Sequence, residues 1–344
     1  MFSNPFRKRG IWLKGNLHGH TTNSDGRLTP QGYIDFYYKS GYGFLAITDH
    51  EKITKIDSDK VVMITGIETS TGRGESGHSY HVVLIDVYDN DEIQRRRKNS
   101  IYELFDWVKA NRVIAFIAHP YWSSLTVNDL RSIDGYLGIE LYNTGCDIEC
   151  GKGYSTVHWD NLLVSGREVS GIAVDDAHRY LIPPIDALGG WVAVKTETRT
   201  KEDILKALRE GFFYASTGPI FYNFESTNNV IKADFSHVKR VDFIGEGGAG
   251  FTITNDMLDL IKYGDKYRKY LSGMFKEFLE NIEISREDDR ETFYGNVGRR
   301  KVEVIRDDSG ITSIRLEGYI FRKYFRVEIT DKNERKAWLN PVFY

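Results

Sequence analysis

Short apolar runs alternate with amphipathic stretches over the first two thirds of the chain, and nearly every apolar run leads into a polar residue. Residues 10–17 predict a strand that ends at His18. Thr29 and Pro30 have the form of an N-cap with proline at the first helical position, which predicts a helix reaching residue 38. Gly41 and Gly43 close it, and residues 44–48 predict a second strand that leads to Asp49 and His50. The runs 61–67, 81–85, 113–118, 138–143 and 169–174 predict further strands, with an amphipathic helix over 101–110. Such apolar strands alternating with helices predict a parallel sheet covered on both faces. Many strand ends carry chemistry-competent side chains, which favours a closed or nearly closed α/β barrel. An open doubly wound sheet serves its ligand from only a few strands.

The pattern changes after a helix predicted over 201–210 and stopped by Gly211, and residues 212–219 close the first domain. Beyond it, the runs 230–235, 238–244, 302–305, 314–319, 325–329 and 337–339 predict short strands, several alternating as antiparallel strands wet on one face do. The expected organisation is a barrel domain over 1–218 and a small β-sandwich over 219–344, with a helical insertion near 257–282.

Composition adds bounds. The 344 residues are too many for one average domain, and 41% hydrophobic with 28% charged content is ordinary for a soluble protein. A formal charge of −3 argues against a stable nucleic-acid complex or attraction to an anionic membrane. Arg95, Arg96, Arg97 and Lys98 read as a solvated helix face, with a substrate-facing patch as the alternative. The charged opening lacks an apolar leader core, and no apolar run is of membrane-spanning length, so a cytoplasmic location is expected. Cys146 and Cys150 lack a second pair for a structural zinc and read as reduced thiols in a loop.

The candidate chemistry starts at His18 and His20. One residue apart on a strand, they project to one face. Asp25, His50, Glu68, His81, His119, Asp176 and His178 lie at or near other strand ends. Neutral imidazoles and carboxylates in this number suit a zinc, manganese or iron ion, and buried carboxylates are costly unless cations offset them. The pattern points to a metal-dependent hydrolase. Glu140 and Asn143 could orient ligands from behind, His158 reads as structural, and Arg179 could clamp a substrate anion or lie on the surface. Arg27 and Arg73 are weaker candidates of the same kind.

The stretch from Gly15 to Gly26, with Ile47-Thr48-Asp49-His50, Ile67-Glu68, Ala118-His119-Pro120 and Asp175-Asp176-Ala177-His178, resembles the PHP (polymerase and histidinol phosphatase) superfamily. Gly189-Gly190-Trp191, Ala215 to Pro219, Phe325 to Asp331 and Ala337 to Pro341 are similar to its CehA/McbA-type metallohydrolases. The resemblance implies a distorted (β/α)7 barrel holding two or three divalent ions (Zn, Mn or Fe). Carried over, it puts His18, His20, Glu68 and Asp176 on one ion and Glu68, His81 and His119 on a second. Asp25, His50 and His178 would hold a third. His78 is an alternative to His81, and Asp175 a neighbour to Asp176 that the Asp-x-His spacing disfavours. Glu68, Asp176 and His178 become the catalytic candidates and Arg179 a substrate-binding one. The implied reaction is attack on a small-molecule or nucleotide phosphate ester by a hydroxide bridging two ions. Alternatives are a carboxylic or carbamate ester hydrolase using the same centre, and a non-catalytic metal-binding interaction module.

Overall fold

The computed structural model describes residues 3–227, 229–262, 282–297, 300–319 and 321–344. Two compact units divide it: Met1–Thr217 with Leu339–Pro341, and Gly218–Trp338 with Val342–Tyr344.

The first unit contains β1 (Ile11–Asn16), β2 (Phe44–Ile47), β3 (Val62–Thr71), β4 (Tyr80–Ile85), β5 (Ile114–Ile117), β6 (Gly138–Asn143), β7 (Ser170–Val174), β8 (Trp191–Thr196) and β9 (Phe213–Ser216). They pair in the order β9-β8-β1-β2-β3-β4-β5-β6-β7. β1-β2-β3 and β5-β6-β7 are parallel, as the alternating pattern predicts. β4 runs antiparallel to both its neighbours, and β8 antiparallel to β1 and β9, which corrects the expectation of a parallel sheet. The reason is local. β3 and β4 are joined by a turn containing Gly72, Gly74 and Gly77 rather than by a helix, so the chain doubles back.

Helices α1 (Pro30–Lys39), α2 (Asn90–Asn99), α3 (Ile101–Asn111), α4 (Val127–Arg131), α5 (Thr144–Cys150), α6 (Thr156–Val164) and α7 (Lys201–Arg209) fill the connections. Thr29 caps α1 by accepting from the Gly32 amide at 3.1 Å, with Pro30 opening the helix. Every residue of β2 and β5 is buried, as strands covered on both faces require. Leu17, Phe44, Val83, Phe116, Ile172, Val192 and Leu208 belong to one core cluster, and Tyr33, Tyr37, Tyr42 and Tyr180 to a second. Past the ends of β1 and β7, a parallel bridge joins Gly19 to Ala177. There the Asp176 amide donates to the His18 carbonyl (3.0 Å) and the His20 amide to the Ala177 carbonyl (3.1 Å).

The second unit contains β10 (Phe221–Ser226), β11 (Val230–Val238), β12 (Arg240–Gly245), β13 (Gly250–Thr254), α8 (Asn255–Lys262), β14 (Ile282–Glu287), β15 (Arg290–Val297), β16 (Arg300–Asp307), β17 (Gly310–Glu317), β18 (Tyr324–Thr330), β19 (Lys336–Leu339) and β20 (Val342–Phe343). One antiparallel sheet has the order β10-β11-β17-β16-β15-β14, and a second set runs β13-β12-β18-β19 with β20 on β18. Rings from the two meet, Phe224 of β10 lying 6.4 Å from Phe325 of β18. Of the helical insertion expected near 257–282, α8 holds the start, residue 282 opens β14, and 263–281 lie outside the described residues.

Candidate metal centre

Donors carried on or just after six strands, and on one loop, gather around a cleft of 440 Å³ in the first unit, with His18 and His20 buried behind its lining. His18 and His20 follow β1, His50 follows β2, Glu68 lies in β3, His81 in β4, His119 follows β5, and Asp176 and His178 follow β7. Asp25 comes from the loop after His20. That loop is folded tightly, since a Cβ on Gly26 would sit 2.3 Å from the His20 carbonyl oxygen. Asp49 anchors it, accepting from Thr21 (amide 2.7 Å, hydroxyl 2.8 Å), Ser24 (2.9 Å) and Thr54 (2.5 Å).

Three sets of donor atoms each gather within 4.8 Å: His18, His20, Glu68 and Asp176; Glu68, His81 and His119; and His20, Asp25, His50 and His178. Glu68 belongs to the first two sets and His20 to the first and third. His81 Nδ1 is 2.9 Å from Glu68 Oε1, whereas His78 is exposed in the β3–β4 turn. Asp175 faces away from the cleft. It accepts from the Tyr37 and Thr144 hydroxyls and from the amides of Leu188, Gly189 and Gly190 at 2.7–3.0 Å.

Several ring tautomers follow from the outer partners. His18 donates Nδ1–H to Glu140 Oε1 (2.6 Å), His119 Nδ1 meets the Ser123 hydroxyl (3.0 Å), and His178 donates Nδ1–H to the Asp176 carbonyl (2.9 Å). Each leaves Nε2 turned toward the cleft. Glu140 also accepts the His119 amide (2.8 Å) and the Asn143 side chain (2.9 Å), and Asn143 reaches Asp176 Oδ2 (3.0 Å). Glu140 and Asn143 therefore do orient the donors. The backbone is in the left-handed region at Asp176 (φ 54°) and positive at His119 (φ 27°), a conformation held where the surroundings over-determine it.

The donors fit a cation. Glu68 Oε2 is buried without a hydrogen-bond partner among the described residues. It lies 3.2 Å from His18 Nε2, 3.3 Å from His20 Nε2 and 3.0 Å from His50 Nδ1. His20 Nδ1 is a second buried atom without a partner, and His18 Nε2 and His20 Nε2 face each other at 3.2 Å. A buried carboxylate oxygen left this way is costly, and a positive ion satisfies it together with the ring lone pairs.

The electrostatics agree. Burial pushes His18 down, but Asp176, Glu140 and Glu68 outweigh it and raise it well above the usual imidazole value. His20 is pushed up to about 9: burial opposes this, and its hydrogen bond to Asp176 and the neighbouring Glu68 carboxylate prevail. Burial likewise opposes ionisation of Glu68 and Asp176, yet the surrounding imidazoles hold both below the ordinary carboxylate range. His178 is lowered by burial and by the charge of His20. A cluster that draws in protons this way also draws divalent cations, and the two compete.

Arg27 and Arg179 line the cleft; Arg73 does not, its guanidinium bonding the Gly77 carbonyl. Arg179 reaches Glu149 at 3.3 Å. The basic run lies on α2, where Arg95 and Arg96 pair with Glu92 and Arg97 with Glu51, away from the cleft lining. His158 contacts the Leu125 carbonyl (2.9 Å) and is structural. Cys146 and Cys150 are free thiols on α5 rather than in a loop, and Cys146 lines the cleft. The sequence reading missed Asp186, which accepts the amides of His178, Arg179 and Tyr180, each at 2.8 Å, and so fixes the turn that presents His178. No pattern marked it: it is a lone carboxylate after an apolar loop.

No family model matches the chain. Over 77 residues it is 36% identical to a 5′-3′ exoribonuclease of Haemophilus influenzae, a match covering 20% of this chain and 27% of that protein's length. Among solved structures it is similar to a two-domain protein from Bacteroides vulgatus containing a predicted PHP-like metal-dependent phosphoesterase (TM-score 0.48, 13% identity, 94% of this chain and 91% of that one). It is also similar to a protein from Bifidobacterium adolescentis described as a metal-dependent phosphoesterase (0.38, 15%, 57% and 96%). A third is an amidohydrolase from Chromobacterium violaceum (0.32, 16%, 48% and 87%). No helix among the described residues is long and apolar enough to cross a membrane.

Proposed function

We propose that the protein is a metal-dependent hydrolase of phosphate esters, using up to three divalent ions held by the three donor sets. The observation that carries this reading is the sharing of Glu68 and His20 between sets, which suits adjacent ions rather than isolated ones. The same reading takes the arc from β1 to β7, bridged past the ends of those two strands by Gly19 and Ala177, as a distorted (β/α)7 barrel. When bound, such ions supply an acidified water and positive charge against phosphoryl oxygens. The chain's own residues do the rest. Glu140 and Asn143 hold His18 and Asp176 in place, Asp186 presents His178, and Arg27 and Arg179 add cationic charge at one side of the cleft. The exoribonuclease relative supports a phosphate ester over a carbamate, since a ribonuclease acts on phosphate esters.

The test is elemental analysis of protein loaded separately with zinc, manganese and iron. Assays on p-nitrophenyl phosphate, bis-p-nitrophenyl phosphate and a naphthyl carbamate accompany it. Metal-dependent cleavage of a phosphate ester is expected; cleavage of the carbamate alone overturns the proposal.

A further inference from the structure

One large aromatic side chain in the cleft carries no atom that binds a metal. Trp122 lines the same cavity and is 40% exposed, while its neighbours Ser123 and Leu125 are buried. Its loop is tightly tied. The Ser123 amide donates to the His119 carbonyl (3.0 Å), Ser124 to Tyr121 (3.1 Å) and Leu125 to Pro120 (3.0 Å). A rigid turn thus keeps an indole in water beside the metal donors. The ring stands nearly perpendicular to His119 (centroids 5.0 Å, 72°) and to His81 (5.8 Å, 72°). Charged side chains gather elsewhere along the cleft. Arg179 adjoins His178, the Arg27 amide donates to the His178 carbonyl (2.8 Å), and the Arg27 guanidinium has no ion-pair partner among the described residues.

The cleft therefore offers an aromatic surface beside the Glu68–His81–His119 set and the Arg27 guanidinium beside the Asp25–His50–His178 set, where Arg179 is paired with Glu149 and Asp186. A substrate that uses both carries a flat apolar ring and an anion. We infer that Trp122 is a specificity residue that stacks on a planar aromatic ring, a nucleobase or aryl group, in the organic part of a phosphate ester. This rests on the phosphoesterase reading and narrows its substrate class. Stacking suits the role because every such ring has a π-face and an indole loses little freedom in meeting it.

The test uses the full chain loaded with metal and compares adenosine 5′-monophosphate with glycerol 3-phosphate. Trp122→Ala is expected to lower kcat/KM for the adenosine ester roughly tenfold, mostly through KM. Its effect on the glycerol ester stays within about twofold, and Trp122→Phe recovers most of the loss. Equal loss on both esters, or a drop in bound metal by elemental analysis, overturns the inference and makes Trp122 a prop for His119. No loss on either ester overturns it too. Equilibrium binding separates this inference from the reading beneath it. If the wild type cleaves neither of these esters nor the two p-nitrophenyl phosphates, the phosphoesterase reading fails. The stacking role then stands only if Trp122→Ala weakens binding of adenosine monophosphate and not of inorganic phosphate; otherwise it falls as well.

Discussion

The inner and outer donors of the cleft are held in different ways. His18, His20, Glu68 and Asp176 have side chains between 0% and 10% exposed, and two of the four are fixed from behind, His18 by Glu140 and Asp176 by Asn143. Asp25, His50 and His178 are 56%, 36% and 31% exposed, and Asp25 sits on a loop. Buried groups hemmed in by packed neighbours keep one arrangement, whereas groups in water can shift to suit an ion or give it up. The inner donors are a rigid frame; the outer ones are an adaptable rim.

The largest effect falls on the frame. His18→Ala or Asp176→Ala should lower turnover by more than roughly 100-fold and remove bound metal, because even partners behind a ligand are worth about 10–100-fold. Full metal content in both variants, measured by elemental analysis, would erase the distinction between frame and rim. Glu140→Ala comes next. It releases His18 and the His119 amide together, and a loss of roughly 10–100-fold in metal affinity is expected by competition with a chelator. A smaller change is expected at the rim: Asp25→Ala should lower the metal-to-protein ratio while the inner ions stay bound through dialysis. Loss of all metal at once would show the donors to act as one unit.

The mildest prediction concerns pH. In metal-free protein, His18 and His20 are raised above the usual 6.5, His20 to about 9. Their protonation stabilises the fold fully below the unfolded value and is lost as pH rises through the folded one. Melting temperature of chelator-treated protein should therefore fall between about pH 6.5 and 9. Metal-loaded protein should not follow, since ions replace the protons and bind better as imidazoles deprotonate. Parallel curves for the two forms would contradict the cluster's electrostatics.

Much of this was legible beforehand because strand ends announce themselves. A run such as Phe44–Ile47 is apolar throughout, so the polar residues after it had to be at an edge, and His18 and His20 share a face by strand geometry. The direction of β4 was not legible from the apolar runs; its signal was the Gly72, Gly74 and Gly77 turn, which reads as a reversal only when weighed against the missing helix. The work of Glu140 was half visible, as a carboxylate inside an apolar strand. That of Asp186 and Asp49 was not, since accepting amides and hydroxyls from neighbouring loops leaves no periodic mark. Cys146 lay in a helix too short and too polar for its spacing to stand out.

The seam at Gly19 and Ala177 bears on how the molecule is made. It joins stretches whose donors His20 and Asp176 are 156 residues apart, so a nascent chain emerging from the ribosome carries the first imidazoles long before their carboxylate partner exists. Until β7 is synthesised and docked, those imidazoles can engage an ion only loosely. Tight capture of metal by the inner donors would thus have to wait until β7 has docked beside the end of β1.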